Sequence, residues 1–138
     1  MYRVTREIRF CYGHRLLNHA GKCRHLHGHN GRAVLVLEAA RLDGLGMVVD
    51  FGRVKQVVGA WIDAHLDHRM LLHRDDPAIP FLREQGEPVY VMDVNPTAEN
   101  LARAIFDHAA SQGLPVVEVH LWETDDSCAS YHGERDGG

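Results

Sequence analysis

The sequence predicts an α+β fold, a small antiparallel sheet with two helices packed on one of its faces. Three observations carry that expectation. Both ends of the chain alternate apolar and polar residues with the period of two that marks half-buried strands. The middle carries two stretches whose apolar residues recur every three to four positions, each preceded by a capping residue. Strands and helices in the order ββααββ close a layer most simply when both helices cover one sheet face. The 138 residues are 45% hydrophobic and 25% charged. That profile predicts one globular domain over residues 1–138 with a core of its own.

Each element has its own signal. In residues 2–10, Tyr2, Val4, Ile8 and Phe10 share one parity, and Thr5, Glu7 and Arg9 share the other. Residues 27–40 read as a second extended stretch around Val34, Leu35, Val36 and Leu37. Residues 42–46 read as a turn. Asp50 is a good N-cap, and Phe51, Val54, Val57, Val58, Trp61, Ile62 and His65 follow at helical spacing, which predicts a helix ending near Asp67. Residues 74–88 hold Pro77, Pro80, Pro88 and Gly86, the composition of a loop with room for a short helical turn. Residues 89–92, VYVM, suit a short strand. Thr97 caps a second helix with an apolar stripe of Ala98, Leu101, Ala102, Ile105 and Ala109, and Gly113 ends it. Residues 116–124 and 127–132 supply the last two strands. So small a sheet leaves edges unpaired, which invites assembly by strand addition.

Composition narrows the function classes. A net charge of −4 argues against a general nucleic-acid binder, which usually shows a basic excess. The N-terminus lacks the apolar core of a signal peptide, and the run from Ala33 to Leu37 is far too short to span a bilayer. The 3 cysteines form no disulfide framework and read as reduced thiols, which points to a cytoplasmic protein.

The chemistry concentrates in GKCRHLHGHN, residues 21–30. In a strand, residues two apart face the same side, so two imidazoles in a His-x-His pair can converge on one ion. Both His27-x-His29 and His25-x-His27 fit, and spacing alone does not choose between His25 and His29. His14 lies just past the first strand, where a returning hairpin can bring it alongside as a third ligand. Three histidines and a water would make an open zinc site of catalytic type. With 11 histidines in the chain, an accidental His-x-His pair is also expected. If residues 23–29 are extended throughout, Cys23 shares the parity of the histidines. It would then be a fourth ligand closing a structural site, or a thiolate beside the metal. Cys11 and Cys128 read as small inert residues. Asp67 and His68 adjoin the end of the first helix. They form either a proton-handling pair or a histidine placed favourably at a helix C-terminus. Glu123 shares parity with Val117, Val119 and Leu121. It therefore needs a partner on an apolar face, either an arginine or a ligand edge with two parallel N–H donors.

These positions, taken together, resemble the 6-pyruvoyl-tetrahydropterin synthase family. The likeness rests on GHRL at 13–16, CRHLHGHN at 23–30, VVDF at 48–51, LDHRML at 66–71, PTAEN at 96–100 and WET at 122–124. It covers about residues 4–132. The resemblance implies that His14, His27 and His29 bind Zn²⁺, that Cys23 is the catalytic base, that Asp67 and His68 handle protons, and that Glu123 anchors a pterin. It implies the tunnelling fold, with trimers stacked into hexamers and active sites between subunits. The spacing from Cys23 to His27 looks more like the queuosine-pathway branch. That branch implies a lyase making 6-carboxy-5,6,7,8-tetrahydropterin, acetaldehyde and triphosphate from 7,8-dihydroneopterin triphosphate. Arg15, Lys22 and Arg24 are candidate phosphate contacts.

Two positions depart from the family pattern. Gly31 stands where an aromatic is usual, and residues 10–13, FCYG, replace smaller residues before His14. Both bear on side-chain specificity, and Tyr12 is placed to compensate for the aromatic missing at 31. The competing outcomes are 6-pyruvoyl-tetrahydropterin formation or another pterin side-chain cleavage. A non-enzymatic competitor is a structural Cys/His zinc module that serves assembly.

Overall fold

The computed structural model describes residues 1–134; the last four residues of the expected domain, 135–138, lie outside the described residues. Two long strands form the centre. Strand β1 (Tyr2–His14) and strand β2 (His27–Ala39) pair antiparallel along their whole length, from Tyr2 opposite Ala39 to His14 opposite His27. On the far side of β2 come β5 (Val116–Thr124) and β6 (Ser127–Tyr131), both antiparallel to their neighbours. The expected alternation holds on β1: Phe10, Tyr12 and His14 are buried, while Thr5, Glu7 and Arg9 are exposed.

The other side of β1 departs from the all-antiparallel expectation. Strand β3 (Arg69–His73) pairs parallel with β1 over residues 12–14, and β4 (Val89–Met92) pairs parallel with β3. The sheet is therefore mixed, in the order β4-β3-β1-β2-β5-β6. The sequence anticipates β4 but not β3. Leu71 and Leu72 are consecutive and both fully buried, so β3 lacks the alternation that marks a half-buried strand. A parallel pair needs a crossover, and the proline-containing segment supplies it with a short helix, α2 (Ala78–Glu84).

Helix α1 runs from Phe51 to His65 as Phe51–Val54, a π-helical stretch Lys55–Gly59 and Ala60–His65. Asp50 caps it, accepting from the Gly52 N–H at 2.7 Å. The wide π turn lets Val54, Val58, Ile62 and Leu66 recur every four residues on one buried line. Phe51 falls off that line and is 45% exposed. Helix α3 (Ala98–Ser111) is capped by Thr97, which accepts from the Asn100 N–H at 3.1 Å. It ends in a Schellman turn. Gly113 has φ 79°, its N–H bonds the Ala110 carbonyl, and the Leu114 N–H bonds the Ala109 carbonyl. Helix α3 lies across β5 and β6 and touches α1. The core between helices and sheet includes Leu35, Leu37, Leu101, Ile105, Val119 and Leu121, all fully buried, and each contributes about 1.5–3 kcal/mol.

Two braces hold the segment that follows His14. Asn95 receives the Leu17 N–H at 2.9 Å and returns a bond to the Leu17 carbonyl at 3.0 Å. Arg15 forms a two-point ion pair with buried Asp76, its Nε donating at 2.7 Å. Arg15 is thus committed to the fold and is not a free phosphate contact. Asp76→Ala strands the guanidinium and opens the Ala78 N–H bond. We expect a loss of about 2–3 kcal/mol, read as a lower urea midpoint. An unchanged midpoint would show that the pair contributes nothing. No helix among the described residues is long and apolar enough to cross a membrane.

Candidate active site and metal centre

The β1–β2 register builds the centre. His14 ends β1, His27 opens β2, and they face each other directly; His29 lies two residues further along on the same face. The three rings meet edge to face, with centroids 4.5–5.0 Å apart. One ring nitrogen from each lies within 4.8 Å of the others. Tetrahedral zinc with Zn–N bonds near 2.0–2.1 Å needs nitrogens about 3.3 Å apart, so the group closes on an ion with small side-chain shifts.

Hydrogen bonds set the tautomers. The His14 Nδ1 lies 2.7 Å from the Pro96 carbonyl, and the His27 Nδ1 lies 2.7 Å from the His25 carbonyl. A carbonyl only accepts, so both Nδ1 atoms carry the proton and both Nε2 atoms present lone pairs. The His29 Nε2 is buried without any partner. A buried imidazole nitrogen beside two lone pairs is a donor set that fits a cation. Burial pushes the His14 imidazole down to about 4 despite its bond to Pro96, and burial also lowers His29. Both shifts favour the neutral imidazole, the form a metal binds.

The same shift links folding to pH. An unfolded histidine titrates near 6.5. As pH falls, the unfolded chain takes up its proton first. The His14 contribution is fully present above about 6.5 and is lost as pH drops towards 4, on the order of 3 kcal/mol. Metal-free protein should therefore show a falling urea midpoint between pH 7 and pH 4.5. A flat midpoint would rule out a buried neutral His14.

The structure brings His29, not His25, into the cluster with His14 and His27. Residues 22–24 form a 3-10 turn, with the Arg24 N–H on the Gly21 carbonyl and the His25 N–H on the Lys22 carbonyl. The extended run from 23 to 29 that spacing allowed is therefore broken. His25 is exposed and contributes only its backbone carbonyl to the site. Cys23 is half-buried on the same turn, held by the Leu16 N–H on its carbonyl at 2.8 Å, and is absent from the nitrogen cluster. Lys22 and Arg24 are exposed there.

Asp67 and His68 form a true pair. The His68 Nδ1 lies 2.8 Å from Asp67 Oδ2, while Asp67 Oδ1 accepts from the Cys11 N–H at 3.0 Å. Burial alone would raise the Asp67 carboxyl, but the bonds from Cys11 and His68 outweigh it and hold it below the usual carboxylate range. Ionised Asp67 makes His68 Nδ1 the donor and leaves its Nε2 free to exchange a proton. His68 adopts φ 57°, a left-handed conformation fixed by its N–H on the Cys11 carbonyl at 2.7 Å.

The thiol beside this pair is Cys11. Its sulfur, an Asp67 oxygen and a His68 nitrogen all lie within 4.8 Å of one another. Sequence reasoning took Cys11 as inert. The missing signal was β3, whose pairing brings residue 67 back to residue 11. Cys11 has the opposite parity to His14, so its side chain projects from the other face of β1. His68, Cys11, Asn30, Arg69 and Met70 line part of an open groove of about 690 Å³ whose lining also includes His27 and His29. Within one chain the three histidines and the Cys11–Asp67–His68 group form two separate clusters.

Glu123 points to the apolar face, as its parity requires. Its Oε1 lies 4.0 Å from the His14 Nε2, and no arginine or lysine pairs with it among the described residues. Tyr12 is buried beside the centre, and burial followed by Glu123 pushes its phenol up.

The profile of the family described as 6-pyruvoyl tetrahydropterin synthase matches residues 3–134. The chain belongs to this family. A Rickettsia typhi relative named 6-carboxy-5,6,7,8-tetrahydropterin synthase is 45% identical over 131 residues, 90% of this chain and 95% of the relative. A Halobacterium salinarum relative named probable 6-carboxy-5,6,7,8-tetrahydropterin synthase is 44% identical, covering 86% of this chain and 79% of its own. Among solved structures, 6-pyruvoyl tetrahydropterin synthase of Caenorhabditis elegans superposes with TM-score 0.72 at 25% identity, over 96% of both chains. An uncharacterized protein of Wolinella succinogenes reaches TM-score 0.79 at 28% identity, over 96% of this chain and 98% of that one. The expected tunnelling fold agrees with these neighbours.

Proposed function

We propose that this family member is a zinc-dependent 6-carboxy-5,6,7,8-tetrahydropterin synthase. It would convert 7,8-dihydroneopterin triphosphate to the carboxypterin, acetaldehyde and triphosphate, as a cytoplasmic step towards queuosine. The observation that carries this reading is the convergence of His14, His27 and His29, in a chain whose relatives at up to 45% identity bear that name.

The residues divide the work. His14, His27 and His29 hold the metal through Nε2, and zinc there would supply Lewis acidity to the side-chain oxygens of a pterin. Cys23, on the turn flanking the hairpin and outside the nitrogen cluster, takes a proton as base. His68, oriented by ionised Asp67, gives or removes another through Nε2. The two clusters are separate within the chain, so the reading has a neighbouring subunit bring its His68 to this chain's histidines. Unpaired edges support such assembly. From Tyr2 to Cys11, β1 has no strand on its β3 side among the described residues, and β6 is an outer strand. A trimer-based hexamer is the form we expect. Glu123 anchors the pterin through two parallel N–H donors, and Lys22 and Arg24 remain the candidates for the triphosphate.

Product analysis with 7,8-dihydroneopterin triphosphate tests the reaction. Acetaldehyde and triphosphate in equal amounts support it, whereas triphosphate alone would indicate pyruvoyl chemistry. Glu123→Gln tests the anchor. A carboxamide loses the paired charge but not the shape, so metal content should hold while pterin affinity falls about tenfold to a hundredfold. A loss of metal instead would make Glu123 a ligand.

A further inference from the structure

We infer that Tyr12 is a specificity-determining residue whose phenol donates a hydrogen bond to a side-chain oxygen of a pterin held at the three-histidine centre. The inference rests on the pterin reading above and deepens it. Tyr12 is 3% exposed, and its hydroxyl is buried without a hydrogen-bond partner. Directly opposite on β2 is His29, whose Nε2 is likewise buried and unpartnered. With the His29 Nε2 assigned to the metal, the Tyr12 hydroxyl is the buried polar atom beside the centre that remains without a partner.

The phenol is also locked in place. Its ring packs edge-on against His14 at 5.2 Å and tilted against His29 at 5.6 Å, and Phe10 stacks behind it at 5.3 Å. A Cβ at Gly31 would lie 2.9 Å from the Tyr12 Cε1. Glycine at 31 therefore leaves the space that the ring occupies. For stability alone phenylalanine would serve better, because a buried hydroxyl with no partner loses its water and gains nothing. A hydroxyl kept there pairs with something that arrives. At a metal centre meant for oxygenated side chains, that acceptor is a hydroxyl or carbonyl oxygen of the ligand. The site then selects pterins carrying oxygen on the side chain over those without it.

The test compares two probes by fluorescence titration of the zinc-loaded protein: 7,8-dihydroneopterin, with a hydroxylated side chain, and 6-methyl-7,8-dihydropterin, without one. Wild type should prefer the first. Tyr12→Phe should bind it about tenfold more weakly, bind the methyl probe unchanged, and keep its zinc. The melting temperature of ligand-free Tyr12→Phe should stay level or rise. Gly31→Ala, which crowds the ring, should weaken the same preference. The inference is overturned if Tyr12→Phe keeps the wild-type preference, if it loses zinc, or if its free form melts lower, since the hydroxyl would then be bonded already. Wild type that binds neither probe would instead overturn the pterin reading and this inference with it.

Discussion

His29→Ala should leave the protein folded and without its metal. The His29 Nε2 has no hydrogen-bond partner in the described fold, so removing the ring breaks no network. What it removes is one of three converging lone pairs. We expect metal affinity to fall at least about a hundredfold and turnover to become undetectable. Metal content after dialysis and a melting curve on the same sample check both halves. His25→Ala is the control. Its ring lies outside the cluster and its backbone carbonyl survives the substitution, so metal and activity should persist. Metal retained at wild-type level in His29→Ala would dismantle the three-histidine centre. Metal lost in His25→Ala would place the wrong pair of histidines in it.

Cys23→Ala should do the opposite, keeping zinc and oligomer while turnover drops by about 10²–10⁴. The turn at Lys22–Arg24 is closed by backbone bonds, including the Leu16 N–H on the Cys23 carbonyl, and none of these needs the sulfur. A structural zinc module with Cys23 as fourth ligand predicts the reverse, with metal and fold lost together. The two readings therefore separate on one variant, by zinc content and rate. Cys11→Ala sharpens the contrast, because the thiol that this chain places beside Asp67 and His68 is Cys11. If Cys11→Ala abolishes turnover and Cys23→Ala does not, the base has been assigned to the wrong sulfur.

Much of the fold was legible because its signals are local. Asp50 and Thr97 cap the helices as their residue types suggest, and Gly113 takes the left-handed turn that ends α3. Strand β1 shows its alternation because one face meets the core and the other meets solvent. Strand β3 was illegible for the complementary reason. Its Leu71 and Leu72 are both buried, and a doubly buried strand has no period to read. That one miss hid the pairing of Cys11 with Asp67 and made residues 69–73 look like connection.

By itself, then, the sequence determined the donor types, their place at the mouth of a hairpin, the caps and the outer strands. All of these depend on neighbours a few residues away. Only the tertiary structure decided which histidines converge, that Arg15 belongs to Asp76, that Tyr12 lies over Gly31, and that the Asp67–His68 pair joins Cys11 in a cluster of its own. Each of those is set by strand register or by a contact between distant segments, such as the Asp67 oxygen on the Cys11 N–H. A shift of one residue in the β1–β2 pairing would turn His27 and His29 to the other face.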